Sequence, residues 1–265
     1  MAAELTTIEP LRAIIETQPL GVFSDIDGTL APIVRDPVAA AISPLAKELL
    51  ERLIARGVRV ALVSGREVEV ALQIAGVEGA AYAGNHGLHV WLDGRTETTE
   101  AVQPYVSQAR RVLAEIGDIR YPGVSIEDKG PVLAFHYRNA RDEVGARDEI
   151  LSAIARAAGA AAFGTYEGRK VIELRPPLEI NKGTAIVHLA ERLGIGAAIA
   201  IGDDMTDVDM FRGVETLRQR GIPGANVAVW SNEASAALLN ATDCFVRGVP
   251  GVEWLLEEML RALPA

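Results

Sequence analysis

A single cysteine, Cys244, stands in the whole chain, so no disulfide within it and no cysteine-ligated metal cluster can form. With Phe245 and Val246 beside it, that thiol reads as a buried structural group and not a reactive one. No run of Lys and Arg is dense enough for a nucleic-acid footprint, and the formal net charge is −10. That balance argues against a polyanionic polymer as partner, though not against a small phosphate ester, because a metal and a few local cations can reverse the field at one site. No apolar run approaches the ~20 residues of a membrane span, so no membrane partner is expected. Glu4 and Glu9 interrupt the N-terminal stretch, which lacks a basic start followed by an apolar core. The expected location is therefore the cytoplasm. Internal repeats and low-complexity linkers are absent as well.

What is there is an ordinary globular composition: 265 residues, 49% hydrophobic and 23% charged. That is enough for one large domain or a core with a smaller insert. Apolar, β-branched runs alternate with helical patterns at both ends of the chain. Gly21 to Ser24 leads into a loop and then a helix with Leu45, Leu49 and Leu53 at turn spacing. Val58 to Val63 reads as a strand and Glu67 to Ile74 as its helix. Ala197 to Ile201 and Val227 to Trp230 are strands, each followed by a helix, Asp207 to Arg220 and Glu233 to Leu239. Such alternation predicts βαβ units and a parallel sheet covered on both faces.

The middle breaks that rhythm. Val90 to Leu92 and Thr96 to Thr98 flank Asp93-Gly94-Arg95, a hairpin signal. Val106 to Ile116 and Asp142 to Ala157 read as helices, and Ser125 to Tyr137 as extended chain with a turn near Gly130. Tyr166-Glu167-Gly168-Arg169 reads as a further turn before a strand over Lys170 to Leu174. The expected fold is α/β: a Rossmann-like core with a parallel sheet, residues 1–96 and 178–265, and an inserted α+β domain at 97–177.

The chemistry-bearing residues cluster at strand ends. Asp25-Ile26-Asp27-Gly28-Thr29 directly follows the first apolar run, and in open α/β sheets ligands bind beyond the carboxyl ends of the strands. Asp25 and Asp27 alternate, so both can face one pocket if the strand unwinds. Two carboxylates so close repel, and a divalent cation is the usual resolution. Asp-x-Asp alone is equally a loop cap. Ser64, in Val63-Ser64-Gly65-Arg66, ends the second strand, where a hydroxyl and backbone N–H groups can grip phosphate oxygens. Lys182, in Asn181-Lys182-Gly183, can balance both a nucleophilic carboxylate and a phosphoryl group, or can be a solvated surface lysine. Asp203, Asp204 and Asp207 crowd the entry to a late helix, where they suit a hard cation or helix capping.

Taken together, Asp-x-Asp-Gly-Thr, then Ser, then Lys, then Gly-Asp-Asp resembles the haloacid dehalogenase superfamily of aspartate-dependent phosphatases. The insert between the Ser and Lys elements is similar to the C2-type cap of that superfamily. The resemblance implies that Asp25 is the nucleophile and a metal ligand, and that Asp27 is the acid/base and binds Mg²⁺ through its carbonyl. It implies that Ser64 and Lys182 hold the phosphoryl oxygens, that Asp203 completes the Mg²⁺ ligands, and that Asp204 and Asp207 support them.

Four stretches resemble trehalose-6-phosphate phosphatases in particular. They are Ala83-Gly84-Asn85-His86-Gly87, Glu127 to Gly130 with Ala134 to Arg138, Gly168 to Pro176, and Asn181 to Ala185. The implied substrate is a small sugar phosphate, with no nucleic acid or membrane partner and a monomer or weak oligomer as the expected state. The resemblance implies that Glu127, Lys129 and Glu173 hydrogen-bond glucose hydroxyls; as bare residues they read sooner as a cross-strand ion-pair ladder. His86 is either a sugar or phosphate contact or a hydrogen-bonded turn residue. Arg66 and Arg138 are positioning candidates, and Asn85 stands where the family often has Glu, so its role is open. His89, His136 and His188 form no zinc-like set. Two alternatives stay open: a phosphatase for sucrose phosphate or a mannosyl-3-phosphoglycerate, and a phospho-accepting sensor without turnover.

Overall fold

A computed structural model describes residues 2–34, 40–98, 100–168, 170–231 and 235–264. The chain divides into two compact units, residues 1–97 with 180–265, and residues 98–179.

The first unit is built on a nine-stranded sheet. Its strands are β1 (Ala3–Glu4), β2 (Leu20–Ser24), β3 (Arg59–Val63), β4 (Ala81–Gly84), β5 (His89–Leu92) and β6 (Arg95–Thr98). After the second unit come β11 (Ala197–Gly202), β12 (Gly224–Trp230) and β13 (Cys244–Arg247). The spatial order is β1-β13-β12-β11-β2-β3-β4-β5-β6. From β1 to β4 all neighbours run parallel, and β5 turns antiparallel to β4. The hairpin into β6 uses Asp93 and Gly94 at φ 52° and 79°, the double positive φ of a two-residue hairpin turn.

Strand alternation explains how helices cover both faces. Val22, Leu62, Ile199 and Ile201 join one apolar cluster, with Leu49, Leu50 and Leu53 of α2 (Pro44–Ala55), Ala71 of α3 (Val68–Ala75) and Leu255 of α9 (Gly248–Ala262). Phe23, Ala61, Val63, Ala198 and Ala200 join the other, with Ile186 and Leu189 of α6 (Lys182–Leu193) and Phe211 and Leu217 of α7 (Asp207–Gln219). The chain passes from β2 to β3 on one side, while β11 lies on the other. The crevice at the C-terminal ends of β2 and β11 is thus the topological switch point, where ligands bind in such sheets.

The second unit is a four-stranded antiparallel sheet, β7 (Ser125–Asp128), β8 (Leu133–His136), β10 (Val171–Arg175) and β9 (Gly164–Gly168), in that spatial order. Leu133, Phe135, Ile172 and Leu174 pack with Ala109 and Val112 of α4 (Gln103–Ile116) and with Ile150 and Ile154 of α5 (Glu143–Arg156). A row on the opposite parity runs Glu127, Ala134, Glu173, Tyr166 across all four strands.

Three local expectations need correcting. Leu45 is 49% exposed, because the buried stripe of α2 is Ala46, Leu49, Leu50 and Leu53, at i, i+3, i+4 and i+7. The stretch Tyr166-Glu167 is strand and not turn: Gly168 pairs with Val171, so only residues 169 and 170 connect the strands, with Lys170 at φ 61°. Arg169 itself lies outside the described residues. The helix expected over Glu233 to Leu239 is α8 (Ala236–Asn240), capped by Ser235 accepting from the Leu238 N–H; Glu233 lies outside the described residues.

Candidate active site

Each motif of the first unit has a local reason for its shape. β2 ends at Ser24, and the Asp25 N–H donates to Ile201 O at 2.9 Å, so the nucleophile candidate remains tied to β11 just beyond the strand. Gly28 then turns at φ 90°, and a Cβ there would meet Asp203 Oδ2 at 2.2 Å. Glycine is required at this point because the Asp203 carboxylate occupies that space. Asn181 caps α6: its side chain accepts from the N–H groups of Gly183 and Thr184, while the Thr184 hydroxyl accepts from the Asn181 N–H. That capping box leaves Lys182 as the first helical residue. Gly183 lets α7 approach closely, since a Cβ there would stand 2.2 Å from Asp209 O.

The result is a buried charge cluster. Lys182 Nζ lies 2.7 Å from Asp25 Oδ1 and 2.7 Å from Asp207 Oδ1, with all three side chains almost wholly enclosed. Asp207 turns its other oxygen back to accept from the N–H groups of Asp203 and Asp204 at 2.9 and 3.0 Å. Asp25, Asp203 and Asp207 bring carboxylate oxygens within 4.8 Å of one another. Burial pushes the Asp25 carboxyl well above the usual range; Lys182 opposes this, while Asp207, Asp203 and Asp27 reinforce it. Burial raises Asp207 too, against the pull of Lys182. Lys182 suffers the same desolvation, yet Asp207 and Asp25 outweigh it and its ammonium is held above the ordinary lysine range.

Asp27 points its carboxylate elsewhere. Both of its oxygens accept from Arg66, Oδ2 from Nε at 2.6 Å and Oδ1 from Nη2 at 2.7 Å. The buried acidic trio therefore contains Asp207 and not the side chain of Asp27, a membership that position 207, read as a supporting group, did not advertise. Asp204 is a half-buried turn former, with Oδ1 accepting from the N–H and hydroxyl of Thr206 at 2.7 Å each. Ser64 is buried, and its hydroxyl accepts from the Arg66 N–H at 3.1 Å.

Asn85 and His86 buttress the serine loop. Their N–H groups donate to Arg66 O at 2.7 Å and Ser64 O at 3.0 Å, and both residues adopt positive φ, 48° and 60°. A Cβ on Gly65 would stand 2.6 Å from His86 Cε1, so the imidazole lies directly on that glycine.

Four carboxylates, Asp25, Asp27, Asp203 and Asp207, face two cations, Lys182 and Arg66. The excess negative charge, the all-oxygen donor set and the space that Gly28 gives Asp203 fit a hard divalent cation. Both Asp207 oxygens accept hydrogen bonds, one from Lys182 and the other from the N–H groups of Asp203 and Asp204.

In the second unit, Lys129 Nζ lies 3.0 Å from Glu173 Oε1 and 3.9 Å from Glu127 Oε2. His136 Nε2 lies 2.8 Å from Glu127 Oε2, and that hydrogen bond, with Lys129, holds the Glu127 carboxyl below its usual value against partial burial. Arg138 is half-buried in the turn after β8. Two neighbours of Glu173 escaped the sequence reading, Arg175 and Tyr166. Arg175, at i+2 from Glu173 on the same strand face, was the available signal.

A doubly wound sheet with acidic groups converging at its switch point, interrupted by a separate α+β unit, belongs to the haloacid dehalogenase class of α/β folds. The family model described as trehalose-phosphatase matches residues 23–243, and the chain belongs to that family. A trehalose-phosphate phosphatase of Mycobacterium avium is 39% identical over 255 residues, covering 91% of this chain and 63% of that protein. One from Mycobacterium tuberculosis is 34% identical over 253 residues, covering 88% and 63%. The chain thus spans 63% of the length of these curated relatives. Among solved structures, the C-terminal domain of Candida albicans trehalose-6-phosphate phosphatase shares the fold, with a TM-score of 0.79, 21% identity and 98% of each chain covered. Among the described residues, no helix is long and apolar enough to cross a membrane.

Proposed function

We propose that the protein is a cytoplasmic, Mg²⁺-dependent phosphatase that hydrolyses trehalose 6-phosphate to trehalose and inorganic phosphate. The observation that carries the proposal is the buried Asp25–Lys182–Asp207 cluster at the switch point of a trehalose-phosphatase family fold. The name shared by the mycobacterial relatives supports the choice of ester.

Asp25 attacks phosphorus, the bond to the sugar oxygen breaks, and that oxygen takes a proton from Asp27. Water then attacks the aspartyl phosphate and returns a proton to Asp27, freeing inorganic phosphate and Asp25. Since both Asp27 oxygens accept from Arg66 in the structure, Asp27 releases at least one of them to meet the ester. Lys182 offsets charge on the attacking carboxylate and the phosphoryl group, and Ser64 holds a phosphoryl oxygen. Asp25 and Asp203, with the Asp27 carbonyl, would hold Mg²⁺, whose charge lets a carboxylate approach a phosphate dianion. Asp204 and Asp207 stay with the loop backbone and Lys182, and His86 with Asn85 keeps the serine loop in shape. Glu127, Lys129 and Glu173 bind glucose hydroxyls on the second unit, and Arg138 helps to position them.

Steady-state rates on a panel of phosphate esters test the reading. Preference for trehalose 6-phosphate over sucrose 6-phosphate and mannosyl-3-phosphoglycerate is expected; no preference rejects the ester assigned. Asp27→Asn should trap a phosphorylated Asp25 that intact-mass spectrometry detects, and no trapped adduct would count against the acid/base role.

A further inference from the structure

The cross-strand row Glu127, Ala134, Glu173, Tyr166 carries a stacked arrangement that ladder geometry alone does not require. Glu173 and Tyr166 are register partners on β10 and β9, and two residues on along β10, Arg175 faces Gly164, two residues back along the antiparallel β9. The Tyr166 ring leans back over Gly164. A Cβ on that glycine would come within 2.7 Å of Tyr166 Cε2 and 3.1 Å of its hydroxyl oxygen, so only glycine leaves the ring its place. On this ring sits the Arg175 guanidinium, its Cζ 4.8 Å from the ring centroid, a cation–π distance.

From that platform Arg175 donates Nε and Nη2 to Glu173 Oε2, at 2.9 and 2.6 Å. Lys129 takes the other oxygen, Oε1, at 3.0 Å. The Glu173 carboxylate is thus held from two sides, and its side chain is only 7% exposed while the Tyr166 ring below the stack remains 47% exposed. Beside it, Glu127 Oε2 lies 3.9 Å from Lys129 Nζ and 2.8 Å from His136 Nε2. Donors and acceptors oriented in this way suit a polyhydroxy ligand.

We infer that the Gly164–Tyr166–Arg175 stack is a positioning device for sugar recognition: Arg175, seated on Tyr166, fixes the orientation in which the Glu173 carboxylate meets a sugar hydroxyl. This rests on the sugar-phosphate reading above. Arg175 acts through Glu173; it takes no part in the chemistry at phosphorus. A lysine in its place cannot stack flat and donate twice to one oxygen, so Arg175→Lys is not conservative here.

The test compares two esters, trehalose 6-phosphate and p-nitrophenyl phosphate, whose leaving group has no sugar hydroxyl. In Arg175→Gln, KM for trehalose 6-phosphate should rise about tenfold to a hundredfold, the cost of losing a hydrogen bond to a charged group. Its kcat, and kcat/KM for p-nitrophenyl phosphate, should stay within about twofold of wild type. Tyr166→Ala, at an exposed ring where folding is not at stake, should raise the same KM about threefold to fivefold, and Tyr166→Phe, which keeps the ring, should leave it unchanged. Equal losses on both esters, or an unchanged KM in both Arg175→Gln and Tyr166→Ala, would overturn the inference. A wild type that favours p-nitrophenyl phosphate over every sugar ester would overturn the sugar reading itself, and this inference with it. The two failures are distinguished by which protein shows them.

Discussion

In the first unit Lys182 lies between Asp25 and Asp207 with Asp203 alongside, and negative charge is left over; in the second, Lys129 and Arg175 hold Glu173 between them, while Lys129 and His136 face Glu127. Both clusters place charged side chains in protein, where unpaired charge costs several kcal/mol per ion. In the first, burial and then the neighbouring carboxylates push the carboxyl groups at 25 and 207 up against the pull of Lys182, and a further cation would offset the charge left over. The second interleaves cations with its carboxylates. An excess-negative cluster invites a metal and, through it, an anionic group; interleaved donors and acceptors offer directional hydrogen bonds to something neutral. The substrate proposed above has a part suited to each kind of cluster, an anionic phosphoryl group and a neutral sugar.

The comparison breaks most visibly at Asp25. Asp25→Asn should lower kcat on trehalose 6-phosphate by about 10⁴-fold or more, as removal of a covalent nucleophile does, read as phosphate release. Chelation with EDTA comes next: loss of the divalent cation should reduce kcat/KM about 10³-fold, with recovery on adding Mg²⁺. Undiminished turnover in EDTA would contradict the charge argument for the first cluster.

Lys182→Ala sharpens the same argument on stability. It leaves Asp25 and Asp207 enclosed without their ammonium, and the cost should be about 3 kcal/mol in urea unfolding. Added Mg²⁺ should recover part of this. Lys129→Ala in the second cluster should act on affinity instead, raising KM for trehalose 6-phosphate about tenfold with little change in kcat.

The smallest effect concerns Cys244, far from either cluster in chemistry. Burial pushes its thiol from 9.0 up to about 11. The folded chain keeps this proton to higher pH than the unfolded chain does. Its contribution to stability is therefore complete below pH 9.0 and is lost as pH rises through about 11. Iodoacetamide should accordingly label the native protein far more slowly at pH 8 than the urea-unfolded protein; equal rates would contradict a buried thiol.

Legibility in the sequence followed locality. The parallel βαβ layout, the Asp93-Gly94 hairpin and the motifs at Asp25, Ser64, Lys182 and Asp203 are short segments whose local chemistry is visible without a partner. What the sequence reading missed depends on distant pairing. Asp27 was read as able to face one pocket with Asp25, but nothing nearby in the chain announced that Arg66, 39 residues on, takes both of its oxygens. Asp207 was read as a supporting group, but the start of α7 aims it at Lys182. Tyr166 was read as a turn residue, and only the register of β9 on β10 sets it opposite Glu173.

Sequence alone determined which residues can do chemistry here and at which strand ends they stand, because alternation, caps and glycine turns are encoded within a few neighbouring positions. Tertiary structure alone decided how the charges are shared: which carboxylate keeps Lys182, which one Arg66 takes, and what Arg175 rests on. Those outcomes depend on distances of a few ångströms between segments far apart in the chain, and Coulomb energy in a low-dielectric interior is too steep in distance for order along the chain to fix it.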